Sequence, residues 1–206
     1  MKHKKIDSIV EEHLDVLREI ASIGCGNAVT ALSGLLDKKV KMSVPVVNLL
    51  DFKDVAKFIG GEENIIMGVL VGISGDINGI MMFTVRMDVA HTLINILFDK
   101  KVEHSGDFSE LEYSALTEVG NILTSSYVSS LAKLTQTTIH QSVPQLAIDM
   151  ANAILSVPAI EFGKVGDKVL FIESVFETDN ENVSGYFLLV PDMRSFEVIL
   201  KALGAM

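Results

Sequence analysis

The chain has few of the residues that commonly crosslink or stiffen a protein: one cysteine, no tryptophan and four prolines in 206 residues. Cys25 has no second cysteine with which to form an internal disulfide, which is typical of proteins in reducing compartments. We therefore expect a cytoplasmic protein. Since 49% of the residues are hydrophobic and only 6% are aromatic, aliphatic residues, methionine and phenylalanine must form the core.

Long apolar runs are also missing. A membrane-spanning helix needs roughly 18 to 20 consecutive apolar residues, whereas the longest run, at about 65–73, has the length of a buried strand. Acidic residues such as Asp7 and Glu11 follow the basic residues near the N-terminus, so this segment is unlike a signal peptide. We expect no insertion into a membrane.

Positive charge is scarce, because 17 lysines and arginines face 27 aspartates and glutamates, giving a net charge of −10. An acidic surface repels a phosphate backbone, so nucleic acid is not an expected partner. The five histidines share no metal-ligand spacing, and we expect no metal site. Gly24 and Gly26 follow no predicted strand, and we interpret them as positions of close helix packing rather than a nucleotide loop.

The sequence repeats itself at an offset of 99 residues. Segment 17–23 corresponds to segment 116–122, and the Ser-Val-Pro at 43–45 corresponds to the Ser-Val-Pro at 142–144. Later segments match at an offset of 106, which indicates an insertion of about seven residues in the second half. We predict one domain made of two pseudo-repeats, at about 6–99 and 107–206.

Hydrophobic periodicity predicts the same order of elements in each half. The first half has a helix at about 6–36, strands at about 40–49, 65–73 and 77–85, and a helix at about 89–98. The second half has a helix at about 109–134, strands at about 138–148, 168–177 and 183–190, and helices at about 150–160 and 195–203. We predict an α/β (α+β) fold of two pseudo-symmetric helix–strand–strand–strand–helix halves, with the sheet packed by the two long helices.

A narrow polar stripe runs along the second long helix. At about 100° per residue, four side chains point the same way: Ser114, Glu118, Asn121 and Ser125. The first long helix repeats the geometry with Asp15, Glu19 and Ser22. Such a stripe is either an ordinary solvated face or a functional site. Serine and asparagine are poor helix formers, which favours a functional site, although the pattern alone leaves both interpretations open.

Both stripes belong to a longer pattern, in which Asp or Ser, three residues, Glu, two residues and Asn are followed by 22 residues and Pro. The second half has every position: Ser114, Glu118, Asn121 and Pro144. The first half has Asp15, Glu19 and Pro45, with Ser22 in place of the asparagine. The doubled pattern resembles the signature of the CheC, CheX and FliY phosphatases, and the two-half organisation is most similar to CheC.

The resemblance implies a phosphatase that hydrolyses the aspartyl phosphate of a phosphorylated CheY-like response regulator in chemotaxis signalling. Such a receiver holds its own Mg²⁺ ion, so no cofactor is expected on this chain. Asn121 would hydrogen-bond the attacking water, and Glu118 would pair with a receiver lysine, with a general-base role for Glu118 as the alternative. Ser114 and Pro144 are expected to be docking or motif residues.

Departures from the family pattern set the remaining expectations. The Ser22 hydroxyl is shorter than an asparagine carboxamide, so the first-half site is expected to dock weakly or to be silent. The alternative for the whole chain is a catalytically weak adaptor that binds CheY, CheD or the flagellar switch. Asp149 resembles a CheD-docking residue of the family, with ordinary helix capping as an equal alternative.

Overall fold

The computed structural model describes residues 2–99, 107–162, 168–177 and 182–202. The first half contains α1 (Lys2–Leu36), β1 (Lys41–Met42), β2 (Val46–Asp51), α2 (Phe52–Phe58), β3 (Ile65–Gly75), β4 (Gly79–Arg86) and α3 (Met87–Phe98). The second half contains α4 (Glu110–Thr135), β5 (Ile139–Gln141), β6 (Gln145–Met150), α5 (Ala151–Phe162), β7 (Lys168–Glu177), β8 (Asn182–Pro191) and α6 (Met193–Ala202). The two halves therefore present the same order of helices and strands.

The strands form an eight-stranded sheet in the order β1-β7-β8-β4-β3-β5, in which β2 also pairs with β7 and β6 with β3. Every pairing between described strands is antiparallel. The first two strands of each half therefore pair with a strand of the other half. The division into one domain with repeats at about 6–99 and 107–206 stays a prediction, because the joint at 100–106 lies outside the described residues.

Helices cover both faces of the sheet. The helices α1, α3, α4 and α6 pack on one face, and α2 and α5 pack on the other. Neighbouring residues of β4 show the division, since Met81 is buried in the first core and Met82 in the second. Strand β4 therefore has no solvated face, which explains why its sequence is almost entirely apolar.

The predicted α/β architecture is confirmed, with the long helices α1 and α4 packed on the sheet. Two details of the prediction are wrong. The helix α2 was not predicted, because seven residues are too few to show a helical period in the sequence. The strands predicted at about 40–49 and 138–148 are each interrupted by three residues that leave the sheet.

The second interruption is the Ser-Val-Pro segment at 142–144, between β5 and β6. The N–H of Ser142 donates to the carbonyl oxygen of Gly72 at 2.9 Å, and the hydroxyl of Ser142 accepts from the N–H of Gly72 at 2.9 Å. Ser142 thereby bonds both backbone groups of Gly72 in β3, whereas Pro144, which has no N–H, takes no part in the hydrogen bonds between the strands. Val143 lies between them and is 80% exposed.

The first interruption, at 43–45 between β1 and β2, is built in the same way. The N–H of Ser43 donates to the carbonyl oxygen of Val175 at 3.0 Å, and the Ser43 hydroxyl accepts from the N–H of Val175 at 3.3 Å. Val44 is 82% exposed. The repeated Ser-Val-Pro segment therefore produces two equivalent bulges, each of which presents a valine to solvent.

Small residues bring the long helices close to their neighbours. A Cβ atom on Gly24 of α1 would lie 2.8 Å from Cδ1 of Tyr127 in α4, and a Cβ on Gly120 of α4 would lie 2.5 Å from Cβ of Val69 in β3. The interpretation of Gly24 as a packing position is confirmed. For Gly26 it is wrong, because a Cβ built there would point into open space, with no other part of the described structure within 4 Å.

By length and composition, the segment Leu17–Leu36 of α1 could cross a membrane, and no other helix among the described residues passes this test. Buried core helices pass it as well. In this structure the segment contributes Leu17 and Leu32 to the core that it shares with α4 and the sheet.

Alanine at Gly120 should destabilise the fold, whereas alanine at Gly26 should not. Overpacking against Val69 is expected to cost about 1–3 kcal/mol, which exceeds the gain of about 1 kcal/mol in helix propensity. At the open position Gly26 the gain is unopposed, so Gly26→Ala should raise the free energy of unfolding. Urea unfolding of the two variants measures both changes, and equal effects would contradict the close contact at Gly120.

Candidate functional site

Helix α4 begins with a capping box that fixes its first turn. The hydroxyl of Ser109 accepts from the N–H of Glu112 at 3.4 Å, and Oε2 of Glu112 accepts from the N–H of Ser109 at 2.9 Å. Leu116, Val119 and Leu123 then turn toward the sheet and are buried. The predicted polar stripe lies on the opposite side of the helix.

The structure brings three of the four stripe residues into contact. Nδ2 of Asn121 donates to Oε2 of Glu118 at 3.5 Å, and the hydroxyl of Ser125 lies 3.4 Å from Oδ1 of Asn121. Glu118 is exposed, Asn121 and Ser125 are half-buried, and Ser114 is exposed one turn nearer the start of the helix. The carboxamide of Asn121 therefore lies between a carboxylate and a hydroxyl.

Strands β5 and β6 flank the stripe and tie it to the sheet. The hydroxyl of Ser125 donates to Oε1 of Gln141 in β5 at 2.7 Å, and the phenol of Tyr113 donates to the carbonyl oxygen of Leu146 in β6. Pro144, the last residue of the family pattern, is half-buried in the bulge between these two strands. The 22 residues between Asn121 and Pro144 therefore comprise the end of α4 and strand β5, which returns beside the helix.

The stripe of the first half is arranged differently. Asp15 and Glu19 are exposed, Ser22 is half-buried and Pro45 is buried. Asp15 forms an ion pair with Arg18, with 2.7 Å between Oδ1 and Nη1. Because a serine hydroxyl extends less far than a carboxamide, we retain the prediction that this site is weak or silent.

Asp149 is exposed near the end of β6, shortly before α5 begins. Its Oδ1 accepts from the N–H of Met150 at 2.7 Å. The donor, Met150, lies before the helix, whereas an N-cap side chain accepts from N–H groups inside the helix. The bond of Asp149 is therefore not the usual helix cap. Docking of CheD at Asp149 stays a prediction.

Two residues of this region were not identified from the sequence. Gln141 contacts Ser125 only because β5 returns alongside α4, and no local pattern shows that return. The exposure of Val143 could have been predicted, because the Ser-Val-Pro segment occurs twice and its valine does not follow the alternation of the core-facing residues in the strands. Both residues lie within three positions of Pro144.

The chemical groups that α4 presents are a carboxylate, a carboxamide and hydroxyls. Within the described ranges, no group of three or more histidine, cysteine, aspartate or glutamate side chains is arranged to hold a metal ion. The side chains of the stripe can donate and accept hydrogen bonds and can attract a cation through Glu118. Such groups suit the orientation of a small molecule such as water.

The two stripes coincide with two matches to one sequence family. The CheC-like family matches residues 12–49 and again residues 111–148. Over 204 residues, covering 97% of both chains, the sequence is 34% identical to the CheY-P phosphatase CheC of Bacillus subtilis (strain 168). This chain belongs to the CheC-like family. The resemblance drawn from the doubled pattern is therefore confirmed.

A more distant relative and a solved structure are also similar to this chain over most of its length. A putative CheY-P phosphatase CheC1 of Halobacterium salinarum (strain ATCC 29341 / DSM 671 / R1) is 23% identical over 190 residues, covering 92% of this chain and 95% of the relative. The solved structure of Thermotoga maritima FliY superposes with a TM-score of 0.74 at 22% identity, covering 94% of this chain and 96% of the other. The FliY comparison shows that the two chains share a fold.

Cys25 lies apart from both stripes of this CheC-like chain, in a buried cluster shared by α1, α4 and β7. Its sulfur contacts the hydroxyl of Tyr127 and lies 3.4 Å from Oγ of Ser174, and the two hydroxyls are 3.2 Å apart. Burial raises the pKa of the Cys25 thiol and the pKa of the Tyr127 phenol. A protonated, enclosed thiol is a poor nucleophile, so Cys25 is a packing residue.

Cys25 should therefore react slowly with a thiol reagent such as DTNB while the protein is folded. We expect the rate at neutral pH to be at least about tenfold lower than in urea, because the fold encloses the sulfur and burial, by raising the pKa of the thiol, lowers the thiolate fraction. Absorbance of the released thionitrobenzoate measures the rate, with glutathione as the reference thiol. Equal rates in the folded and unfolded protein would contradict the enclosed position.

Proposed function

We propose that this chain hydrolyses the aspartyl phosphate of a phosphorylated CheY-like response regulator in chemotaxis signalling. The observation that supports this proposal is the Glu118–Asn121 pair on the outer side of α4, in a chain 34% identical to a CheY-P phosphatase. In this proposal the second-half site carries the reaction. The first-half site, with Ser22 in place of the asparagine, contributes little.

Hydrolysis of an aspartyl phosphate needs a water molecule in line with the bond between phosphorus and the aspartyl oxygen. The water oxygen bonds to phosphorus as that bond breaks, which releases inorganic phosphate and regenerates the aspartate. In the proposal the receiver supplies both the phosphoryl group and the Mg²⁺ ion, and this chain supplies the position of the water. Because the transition state is loose, holding the water in place contributes more than a strong base.

Asn121 is the residue that we assign to the water. Its Oδ1 has two acceptor positions, one of which can take a hydrogen bond from the water and so direct a lone pair of the water at phosphorus. The carboxamide is neutral, so it does not repel the phosphoryl group. Its half-buried position, with contacts on both sides, limits the orientations that it can adopt.

Glu118 is assigned to docking. Its exposed carboxylate lies one helical turn from Asn121, where it can pair with a lysine of the receiver and fix the angle of approach. At 3.5 Å from Nδ2 of Asn121 it also favours one orientation of the carboxamide. A general-base role is the alternative assignment, although a loose transition state makes little demand on a base.

Apolar side chains flank these polar groups. We define the docking face as Leu111, Ser114, Glu118, Asn121 and Val143. Leu111 is 67% exposed in the first turn of α4, and Val143 is 80% exposed in the bulge beside the helix. Exposed apolar residues around a polar centre are a feature of protein interfaces, because a partner that covers them removes apolar surface from water. A receiver covering this face brings its phosphoryl group to Asn121.

A catalytically weak adaptor is the second candidate function. The first half has the same bulge and an equally exposed valine, Val44, but Ser22 replaces the asparagine. In this second candidate, the chain binds a receiver, CheD or the flagellar switch without useful turnover. The docking of CheD at Asp149 and a cytoplasmic location are proposals that accompany both candidates.

Asn121→Ala should remove most of the phosphatase activity. The wild-type chain is expected to accelerate the decay of a phosphorylated CheY-type receiver, and the variant should lower the maximal rate by about 100-fold, because the water loses its hydrogen-bond partner. Release of inorganic phosphate measures the rate. Asn152→Ala serves as the matched control, since Asn152 is exposed on α5, at the opposite face of the sheet.

The outcomes of this experiment separate the two candidate functions. A wild-type chain that binds the receiver without accelerating its dephosphorylation would favour the adaptor. Full activity in Asn121→Ala would remove the second-half site from the proposal and direct attention to the first half.

Val143→Asp should weaken docking without slowing the chemical step. Burial of a valine contributes about 1.5 kcal/mol, so its loss should raise the half-saturating receiver concentration about tenfold and leave the maximal rate near that of the wild type. Initial rates at several receiver concentrations measure both quantities. Val157→Asp, at an exposed valine of α5, is the control. No change in half-saturation would exclude Val143 from the docking face.

A further inference from the structure

Ser125 differs from the serine that follows it in α4. Ser126 donates to the carbonyl oxygen of Ile122 at 2.8 Å, which is the usual bond of a serine inside a helix. Ser125 instead donates to Oε1 of Gln141 in β5 at 2.7 Å and lies 3.4 Å from Oδ1 of Asn121. The hydroxyl of Ser125 therefore contacts two side chains rather than the backbone of its own helix.

These contacts decide which way the carboxamide of Asn121 points. Its Nδ2 faces the carboxylate of Glu118, which only accepts hydrogen bonds, and its Oδ1 faces the hydroxyl of Ser125. Rotation of the amide by 180° would place Oδ1 against a carboxylate oxygen, where two acceptors repel. A hydroxyl has one proton, so Ser125 donates to Oδ1 of Asn121 when Gln141 turns its NH₂ group toward the Ser125 oxygen, and the second acceptor position of Oδ1 then stays free for a water.

Gln141 holds this hydroxyl from the side of the sheet. Its amide has an acceptor and a donor on the same carbon, so it can keep a hydrogen bond to Ser125 whichever way the hydroxyl proton points. Because Gln141 lies on β5, which pairs with β3, it fixes Ser125 relative to the sheet and not only relative to α4. Through Ser125 and Gln141, the side chain of Asn121 is therefore held in place relative to the sheet, which is a rigid element.

The first half lacks this arrangement as a unit. Ninety-nine residues before Asn121, Ser125 and Gln141 stand Ser22, Gly26 and Met42. The scaffold around them is kept, because the glutamate and the Ser-Val-Pro bulge occur in both halves. The carboxamide and its two supporting side chains are therefore replaced together.

We propose that Ser125 and Gln141 are positioning residues, which hold the carboxamide of Asn121 in the orientation that the attacking water requires. It follows that the first-half site lacks this support as well as the asparagine. The inference rests on the proposed function, since it concerns the same site. In this proposal neither residue touches the phosphoryl group, and both act through Asn121.

Kinetics of receiver dephosphorylation test the role of the pair. Ser125→Ala and Gln141→Met should each lower the maximal rate about tenfold and leave the half-saturating receiver concentration unchanged. Ser125→Thr keeps a hydroxyl and should retain most of the activity. Ser126→Ala removes the neighbouring hydroxyl and should have no effect. Thermal unfolding of each variant establishes that it is folded.

The double variant Ser125→Ala/Gln141→Met should lose no more activity than the more damaging single variant, because the two residues act in series. Unchanged maximal rates in both single variants, in a protein whose Asn121→Ala variant is inactive, would overturn the inference and leave the proposed function intact. A change confined to half-saturation would also overturn it. A wild-type chain without phosphatase activity would overturn both.

Reconstruction of the first-half site provides a second test. In an Asn121→Ala background, Ser22→Asn alone should restore little activity, whereas Ser22→Asn/Gly26→Ser/Met42→Gln should restore about tenfold more. A serine fits at Gly26, where nothing lies within 4 Å of a Cβ. Strand β1, which carries Met42, pairs with β7 as β5 pairs with β3. Equal rates in the single and triple variants would overturn the inference.

Discussion

The close approach of α4 to β3 sets the position of the polar side chains that α4 presents. Gly120 has no side chain, so the helix lies where a Cβ would be only 2.5 Å from Cβ of Val69. Asn121 follows directly, and the depth and rotation that the glycine sets decide how far its carboxamide projects. The same approach brings α4 within hydrogen-bonding reach of β5, which pairs with β3. Packing at Gly120 therefore sets the position of the Asn121 side chain.

The two halves share the same backbone arrangement but differ in the polar side chains that their long helices expose. Each half has a long helix, a Ser-Val-Pro bulge and an exposed valine, and each bulge is held by a serine that bonds the neighbouring strand through N–H and hydroxyl. The polar side chains on the helices have diverged. Asp15 is paired with Arg18 in the first half, while the second half places a carboxamide between a carboxylate and a hydroxyl. The glutamate and the proline of the family pattern are present in both halves, whereas the asparagine is present only in the second.

The sequence predicted those features that depend on local period or on a spaced motif. The long helices, the α/β class and the stripe of Glu118 and Asn121 are of this kind, because residues three apart on a helix are neighbours wherever the helix packs. The contact between Ser125 and Gln141 could not be predicted, since it depends on how β5 returns along α4. Pro144 was predicted as a docking or motif residue within one continuous strand, and the bulge was missed because the hydrogen bonds that allow Val143 to point outward involve a distant strand.

The pairing of strands between the two halves also has a consequence for folding during synthesis. Val46 pairs with Glu173, and the rest of β2 is likewise bonded to β7. At about 5–20 residues per second, the ribosome needs on the order of 10 s to add the roughly 120 residues that separate the two strands. During that time the nascent first half carries β2 and β3 without their second-half neighbours. Completion of the sheet is therefore a late, long-range event, and exposed strand edges must be kept from other chains until β6 and β7 emerge.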